Sequence, residues 1–463
     1  RNLVKMEYDT TKGVVKQYCF DTKLYAPGAY AGNKHNEKQA LLARVLAATI
    51  APMTAEVNGI AVGLVDCLRW CKQNHGNLFP RMTHVKSVSF SEYLRRSNAS
   101  NSVKRILSKT MVDLVNEGIT EDSVLSPDQL FRWTMRSSFV KKENNLYWSP
   151  GGVKDKAPRL IQGAQPQFIC LVGPWIMALQ DLLKRRWNTK NNLCFTSGMS
   201  AEQTANYFME GQGEMLEDDL GKFDSSISKP WCEYEVWLCR KFAAPRAVLS
   251  LMTANIETHG VTHCGWHYTC EGTRKSGDPY TSLMNSVING LAHLYLYCKW
   301  TKRTVKQSQH SIRMLLQGDD NAMRHVEKRH FPWKRGMATL GFDSEALYRD
   351  NEYEVEFCSA RLYETKDGFV FGPKPGRVLA KLGYVLNPPA NVTRESMVRG
   401  IVLGLQKNVH FIPPLRCVVE RLLEMTEGAK PWFELTEDEY KVKVSNWHEP
   451  TAAINFHLTE QYY

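Results

Sequence analysis

The chain has 463 residues, 43% of them hydrophobic and 23% charged. That is ordinary globular composition, which excludes a disordered or fibrous chain, and the length implies roughly three subdomains rather than one small domain. A formal charge of +11 with a pI near 9.0 favours a polyanionic partner, nucleic acid or an acidic membrane surface.

Twelve cysteines without framework spacing suggest reduced thiols in a cytosolic setting. No apolar run approaches the ~18 residues needed to cross a bilayer. The longest candidate, residues 41–65, is broken by Arg44, Pro52, Glu56 and Asn58. The chain begins at Arg1 with neither methionine nor a signal-like segment, so it is expected to be a fragment or processed product, with any targeting element elsewhere.

Periodicity predicts a helix over residues 36–50, with Leu41, Leu42, Val45 and Leu46 on its apolar face, and a second over 57–72. Residues 84–108 read as a helix with a basic face carrying Arg95, Arg96, Lys104 and Arg105, either plainly solvated or touching phosphates. Two clusters offer zinc-ligand chemistry: Cys67, Cys71 and His75 at helical spacing, and His259, His263, Cys264, His267 and Cys270 in one short stretch. Neither has paired two-by-two spacing, and packing on a buried helix face or in a β-rich segment explains both.

From Phe139 to Ile161 cations crowd around turn residues: Lys141, Lys142, Lys154, Lys156 and Arg159, with Pro150-Gly151-Gly152 as a loop. Such a strand-loop-strand either clamps a triphosphate with fixed positive charge or is a plain charged hairpin. Residues 173–187 form a helix, with Lys184-Arg185-Arg186 suiting the dipole at its C-terminal end. Glu214 to Ser226 reads as a strand ending in Asp218-Asp219, with Asp224 at the start of the following helix. Asp224 and Ser225 are also plain capping residues. Ser276-Gly277 is a loop opening a long helix that ends near Trp300. Ile312 to Met323 reads as two strands joined by a tight turn, with the carboxylates of Gly318-Asp319-Asp320 at its tip, where they would invite a metal. Alone, the triplet is as well explained as a solvated turn.

In order, a cationic loop, Asp219 with four residues before Asp224, Ser276-Gly277 with Thr281 and Asn285, and then Gly318-Asp319-Asp320 resemble the motif series of RNA-dependent RNA polymerases of positive-strand RNA viruses. The nearest likeness is to the tombusvirus-like and nodavirus-like group. It rests on Phe139-Val140-Lys141 with Ala157-Pro158-Arg159-Leu160-Ile161, and on Glu356-Phe357-Cys358-Ser359. It covers residues 130–385 well and 36–44 weakly. Asn321 departs from the Cys or Gly of the closest relatives.

The resemblance implies template-directed two-metal nucleotidyl transfer, with Asp219, Asp319 and Asp320 as catalytic residues and ligands of Mg2+, with Mn2+ as an alternative. Asp218 is the rival for the first position, set aside because four residues then separate Asp219 from Asp224. Asp224 and Asn285 would read the ribose 2′-hydroxyl, supported by Thr281. Ser276 and Gly277 would contact nucleotide and template. Arg159, Lys141 and Lys156 would neutralise the triphosphate, and Lys142, facing the other way on an extended strand, would not. Arg349 stands near the expected place of a general acid but holds its proton too tightly; with Lys334 a weak alternative, that role stays unassigned.

The implied fold is α+β, a right-hand polymerase of fingers, palm and thumb with an antiparallel palm sheet, closed by fingertips. Residues 1–140 would form an N-terminal extension and fingertips, 141–213 fingers with the cationic loop, 214–230 the first palm motif, 231–270 a fingers insertion, 271–360 palm and 361–463 thumb. Thumb helices are expected over 392–405 and 415–427, after a hairpin over 357–371. Expected partners are single-stranded RNA template, the nascent duplex, NTPs and replication-complex proteins. No membrane anchor is read in this chain, and it is expected in host cytoplasm at membrane-associated complexes formed through other parts. The competing readings are a reverse transcriptase, a non-catalytic RNA-binding module and a membrane-bound scaffold. The terminal Gln461-Tyr462-Tyr463 would form an aromatic platform for the first nucleotide or simply fray.

Overall fold

Ile312–Gln317 and Asp320–His325 pair antiparallel with Gln317 opposite Asp320, so Gly318 and Asp319 alone make the turn. Gly318 has φ +67°, a conformation that glycine takes without steric cost at the first position of a tight hairpin turn. In this computed structural model, which describes residues 2–5, 17–20, 27–81, 84–146, 148–149, 152–153, 156–433 and 443–451, that hairpin lies inside a six-stranded sheet. Asp320–His325 also pairs antiparallel with Glu214–Gly221, Asp219 opposite Asp320. The other edge of Glu214–Gly221 takes Asp343–Ser344 and Leu347–Arg349.

On the far side Leu193–Phe195 runs parallel to Ile312–Gln317, which corrects the expectation of a purely antiparallel sheet. A parallel neighbour needs a long crossover, and the chain between Phe195 and Ile312 supplies one. All three residues of that strand are buried, as a strand covered on both faces requires. The helix Thr281–Thr301 packs against the sheet and is buried continuously from Leu283 to Cys298, which makes it the central element of the largest apolar core.

A five-stranded sheet is ordered Asn2–Lys5, Trp266–Glu271, Glu257–Thr262, Arg136–Val140, Leu160–Gly163. A three-stranded sheet of Glu356–Phe357, Ala360–Thr365 and Gly368–Pro373 shares a second core with helices Arg394–Val409 and Pro413–Met425. Its first turn is made by Cys358 and Ser359, both at positive φ (53° and 61°).

The helices differ from expectation where local chemistry breaks the pattern. The first is Lys34–Arg44, capped by the Asn33 side chain. Residues 57–72 are not one helix: Ala55–Val57 and Ile60–Val62 form a hairpin turning on Asn58 and Gly59 (φ 56° and 72°), and the helix is Leu64–Gln73. The span 84–108 is two helices, Phe90–Arg96 and Asn101–Asn116, each capped by a serine, Ser89 and Ser100.

The helix expected over 173–187 is Pro166–Leu183, which begins on a proline at its first turn and tolerates Pro174 inside. By length and composition it could cross a membrane, contrary to the sequence expectation, but 61% of it is buried within the protein, in the largest core.

Among the described residues no three His, Cys, Asp or Glu side chains form a ready metal site. Cys67 and Cys71 are buried in the core, and His75 packs among Phe79, Trp237 and Phe242. His259 and His263 contact Phe131 and Phe139, while Cys264 and Cys270 are buried. The cationic-loop residues Pro150, Gly151 and Lys154, and Gln461 to Tyr463, lie outside the described residues.

Candidate active site

Successive residues of a strand face opposite ways, and Glu214–Gly221 uses this to separate two aspartates. Asp218 turns inward and is fully buried. Its carboxylate accepts from Ser344 Oγ at 2.9 and 2.8 Å and stands 2.9 Å from His293 Nε2 on the long helix. Asp219 turns outward beside the hairpin tip. Its side chain reaches the surface, yet the surrounding chain removes part of its water. That loss, then the charges of Asp319, Asp320, Glu345 and Asp218, push its carboxyl up to about 6. The carboxylates alone would raise it, whatever the degree of desolvation.

The tip is held from behind by one helix turn. Gly318 N–H donates to Ser286 Oγ at 2.7 Å, and Asn289 Nδ2 donates to the carbonyls of Gly318 and Asp319 at 3.1 and 3.0 Å. Asn321 fits the same network, its amide donating to Asn289 Oδ1 at 2.9 Å. An amide at 321 therefore has a use here that Cys or Gly could not supply.

Asp224 follows the strand in the short helix Phe223–Ser226, after Lys222 in a left-handed conformation (φ 51°). Asn285 Nδ2 donates to Asp224 Oδ1 at 2.8 Å. Burial raises the Asp224 carboxyl and the Asn285 hydrogen bond opposes it; Asp319 adds a further raising charge, Arg274 and Arg159 lowering ones. Asp224 is thus electrostatically coupled to the hairpin tip on one hand and to the cationic strand on the other.

Ser276 and Gly277 lie against that strand. Gln162 N–H donates to Ser276 Oγ at 3.2 Å, Ser276 Oγ donates to Leu160 O at 3.3 Å, and Gly163 and Gly277 form a parallel bridge. A Cβ on Gly277 would stand 2.2 Å from the Gln162 carbonyl oxygen, so the approach demands glycine. Thr281 Oγ1 donates to Lys275 O at 2.7 Å, closing the loop onto the helix start.

Lys141 and Arg159 flank the ladder between Arg136–Val140 and Leu160–Gly163, with Lys141 N–H donating to Arg159 O at 2.8 Å. Both side chains reach Glu143, at 3.6 and 3.5 Å, and Arg159 is 60% exposed there. Lys156 is exposed, and its carbonyl accepts from the Tyr30 hydroxyl. Arg349 is engaged by Glu217 in an ion pair, and Lys334 is exposed.

Arg44 was not singled out by the sequence. It ends the helix Lys34–Arg44, donates Nη2 to Ala157 O at 3.3 Å, and interacts electrostatically with Arg159, Glu143 and Asp224. Burial and the nearby Arg159 lower its pKa. Periodicity could flag it as the last cation of a helix, but not bring it to a strand more than a hundred residues away.

The donor set suits a hard divalent cation: carboxylates of two paired strands and of the adjoining hairpin turn, with Asp219 raised first by loss of water and then by the like charges of its neighbours. The oxygens are gathered on one surface rather than locked into a preformed cage. Hard ions that keep much of their water and are completed by substrate phosphates do not need one.

A family model described as RNA dependent RNA polymerase matches residues 97–398, a span that contains every one of these side chains except Tyr30 and Arg44. No curated protein matches the chain.

Proposed function

The chain belongs to the RNA-dependent RNA polymerases of positive-strand RNA viruses, of the tombusvirus-like type, and is a nucleotidyltransferase acting on RNA template and NTPs; we propose that its chemistry takes place on the open face formed by Asp219, Asp319 and Asp320. The observation that carries this reading is the register Asp219 to Asp320 across paired strands, with Asp319 in the adjoining turn, which gathers three oxygen donors beside the Asp224–Asn285 pair.

Asp219, Asp319 and Asp320 would hold Mg2+ or Mn2+. A bound pair of such ions would make the primer 3′-hydroxyl easier to ionise and offset charge on the departing pyrophosphate. Asp224 and Asn285 bind the ribose 2′-hydroxyl, a group that both donates and accepts. Arg159 and Lys141, with Lys156 at the surface, hold the triphosphate by charge-assisted hydrogen bonds. The Ser276–Gly277 loop lies against base and template, supported by Thr281.

Residues 1–140 and 141–213 serve as fingertips and fingers, 214–230 and 271–360 as palm with 231–270 a fingers insertion, and 361–463 as thumb, in a closed right hand. A chain of +11 charge binds the template backbone without reading its sequence. It works in host cytoplasm at membrane-associated complexes, through replication proteins or segments outside this chain.

The test is incorporation of labelled ribonucleotides on a single-stranded RNA template with Mg2+ or Mn2+, for the parent and for Asp319→Ala. Full-length product from the parent and at least a roughly 10³-fold loss in the variant is expected, since several kcal/mol of charge stabilisation would go. Product from both at similar rates would remove Asp319 from the chemistry.

A further inference from the structure

Arg274 is a cation only 2% exposed, in the loop that follows the strand Trp266–Glu271. The chain enters the interior through two consecutive left-handed residues, Gly272 at φ +71° and Thr273 at φ +65°. That conformation is costly for a β-branched residue, and Thr273 is held in it by donating its N–H to Ile227 O at 2.6 Å. The outcome of this turn is the placement of Arg274, whose own N–H donates to the carbonyl of Asp224 at 2.7 Å.

The guanidinium makes a second set of bonds. Nη1 donates to Glu235 Oε2 at 3.0 Å, Nη2 donates to Glu235 Oε1, and Nε donates to Asn285 Oδ1 at 2.9 Å. Tyr280 covers it, with its ring centre 5.2 Å from Cζ. Asn285 then donates Nδ2 to Asp224 Oδ1 at 2.8 Å. One residue therefore grips both members of the ribose pair, Asp224 by its backbone and Asn285 by its side chain.

A guanidinium donates and never accepts, so the amide atom facing Arg274 is the oxygen of Asn285 and the NH2 is turned to Asp224. Were the amide reversed, two donors would face each other in a buried site and Asp224 would lose its partner. We infer that Arg274, held by Glu235, is the positioning residue of ribose selection: it fixes which way the Asn285 amide faces and where Asp224 stands, without itself meeting the nucleotide. The inference rests on Asp224 and Asn285 being the ribose pair. A lysine at 274 would keep the charge but lose the planar fork that reaches Glu235 and Asn285 at once.

The experiment is single-nucleotide incorporation on an RNA primer–template, with kcat/KM measured separately for an NTP and its 2′-deoxy analogue. It uses the parent, Asn285→Ala, Arg274→Lys, Glu235→Gln and the double variant Arg274→Lys/Asn285→Ala, each checked for folding by thermal melting. Arg274→Lys is expected to lower the ribo-to-deoxy ratio about tenfold, with the loss falling on the ribonucleotide and the 2′-deoxy rate nearly unchanged. The double variant should discriminate no worse than Asn285→Ala alone, because both changes remove the same arrangement.

Glu235→Gln preserves shape and should lower the ratio by a smaller factor; it carries the test where Arg274→Lys fails to fold. A merely structural role would depress both substrates alike and leave the ratio where it was, which overturns the inference. If Asn285→Ala lowers the ratio while Arg274→Lys and Glu235→Gln do not, the ribose reading stands and the role of Arg274 is refuted. If Asn285→Ala itself leaves the ratio unchanged, the ribose reading fails and the inference falls with it.

Discussion

Asp218 and Asp219 are neighbours on one strand and live in opposite chemical worlds. Asp218 is enclosed, with Ser344 and His293 supplying partners for its carboxylate. Asp219 is at the surface, and its nearest charges are like ones, Asp319, Asp320 and Glu345. Burial of a charge is tolerable when its partners are built in, whereas like charges gathered near the surface favour a cation among them. The same division runs through the rest of the site. Arg136–Asp278 and Arg274–Glu235 are buried ion pairs, while Asp319 and Arg159 are exposed.

The sharpest way to break that contrast is to open one of the closed pairs. Asp278→Ala leaves Arg136 buried beside Asn255 without its carboxylate, and should cost about 3–5 kcal/mol of stability, read as a lowered urea midpoint. An unchanged midpoint would mean that the pair is not a support.

A smaller effect is expected from pH. The Asp219 carboxyl stands at about 6, above the ordinary 3.8, so its contribution to the stability of the metal-free protein is present below 3.8 and lost as pH rises through about 6. Any melting-temperature advantage of Asp219→Asn over the parent at pH 7 should therefore shrink by pH 5. In the reaction the sign reverses, because ligands must be ionised: incorporation should fall as pH drops through about 6, and added Mg2+ should move that limb to lower pH by competing with the proton. Rates at two Mg2+ concentrations check this; a limb that stays in place would separate Asp219 from metal binding.

The smallest change is Ser344→Ala, which removes the hydroxyl that donates to Asp218 and should cost about 1 kcal/mol in a denaturant melt while leaving the kinetic response to Mg2+ as in the parent.

Much of the open face was legible because its signals are local. A glycine before two aspartates between apolar runs specifies the hairpin, and the strand period specifies that Asp218 and Asp219 diverge. Asn58-Gly59 carried an equally clear turn signal, obscured by the apolar residues on either side that made one long helix look continuous. The helix expected from residue 173 begins at Pro166, and Pro174 lies in its interior, tolerated because the surrounding core holds Pro166–Leu183 in place.

What the sequence could not reveal is what depends on distant segments meeting. Arg44 against Ala157, Arg136 against Asp278 and Arg274 between Glu235 and Asn285 are all of this kind. Nothing in the composition of any one stretch marks these pairings.

The most direct measurement compares Asp218→Asn with Asp219→Asn, each assayed for thermal melting without metal and for ribonucleotide incorporation with Mg2+. Asp219→Asn should melt at or above the parent and make no product. Asp218→Asn should melt lower, by about 1–3 kcal/mol of lost stability, and retain incorporation in its folded fraction. The reverse pattern, an unstable Asp219→Asn that still incorporates and a stable Asp218→Asn that does not, would contradict the assignment of chemistry to the open face.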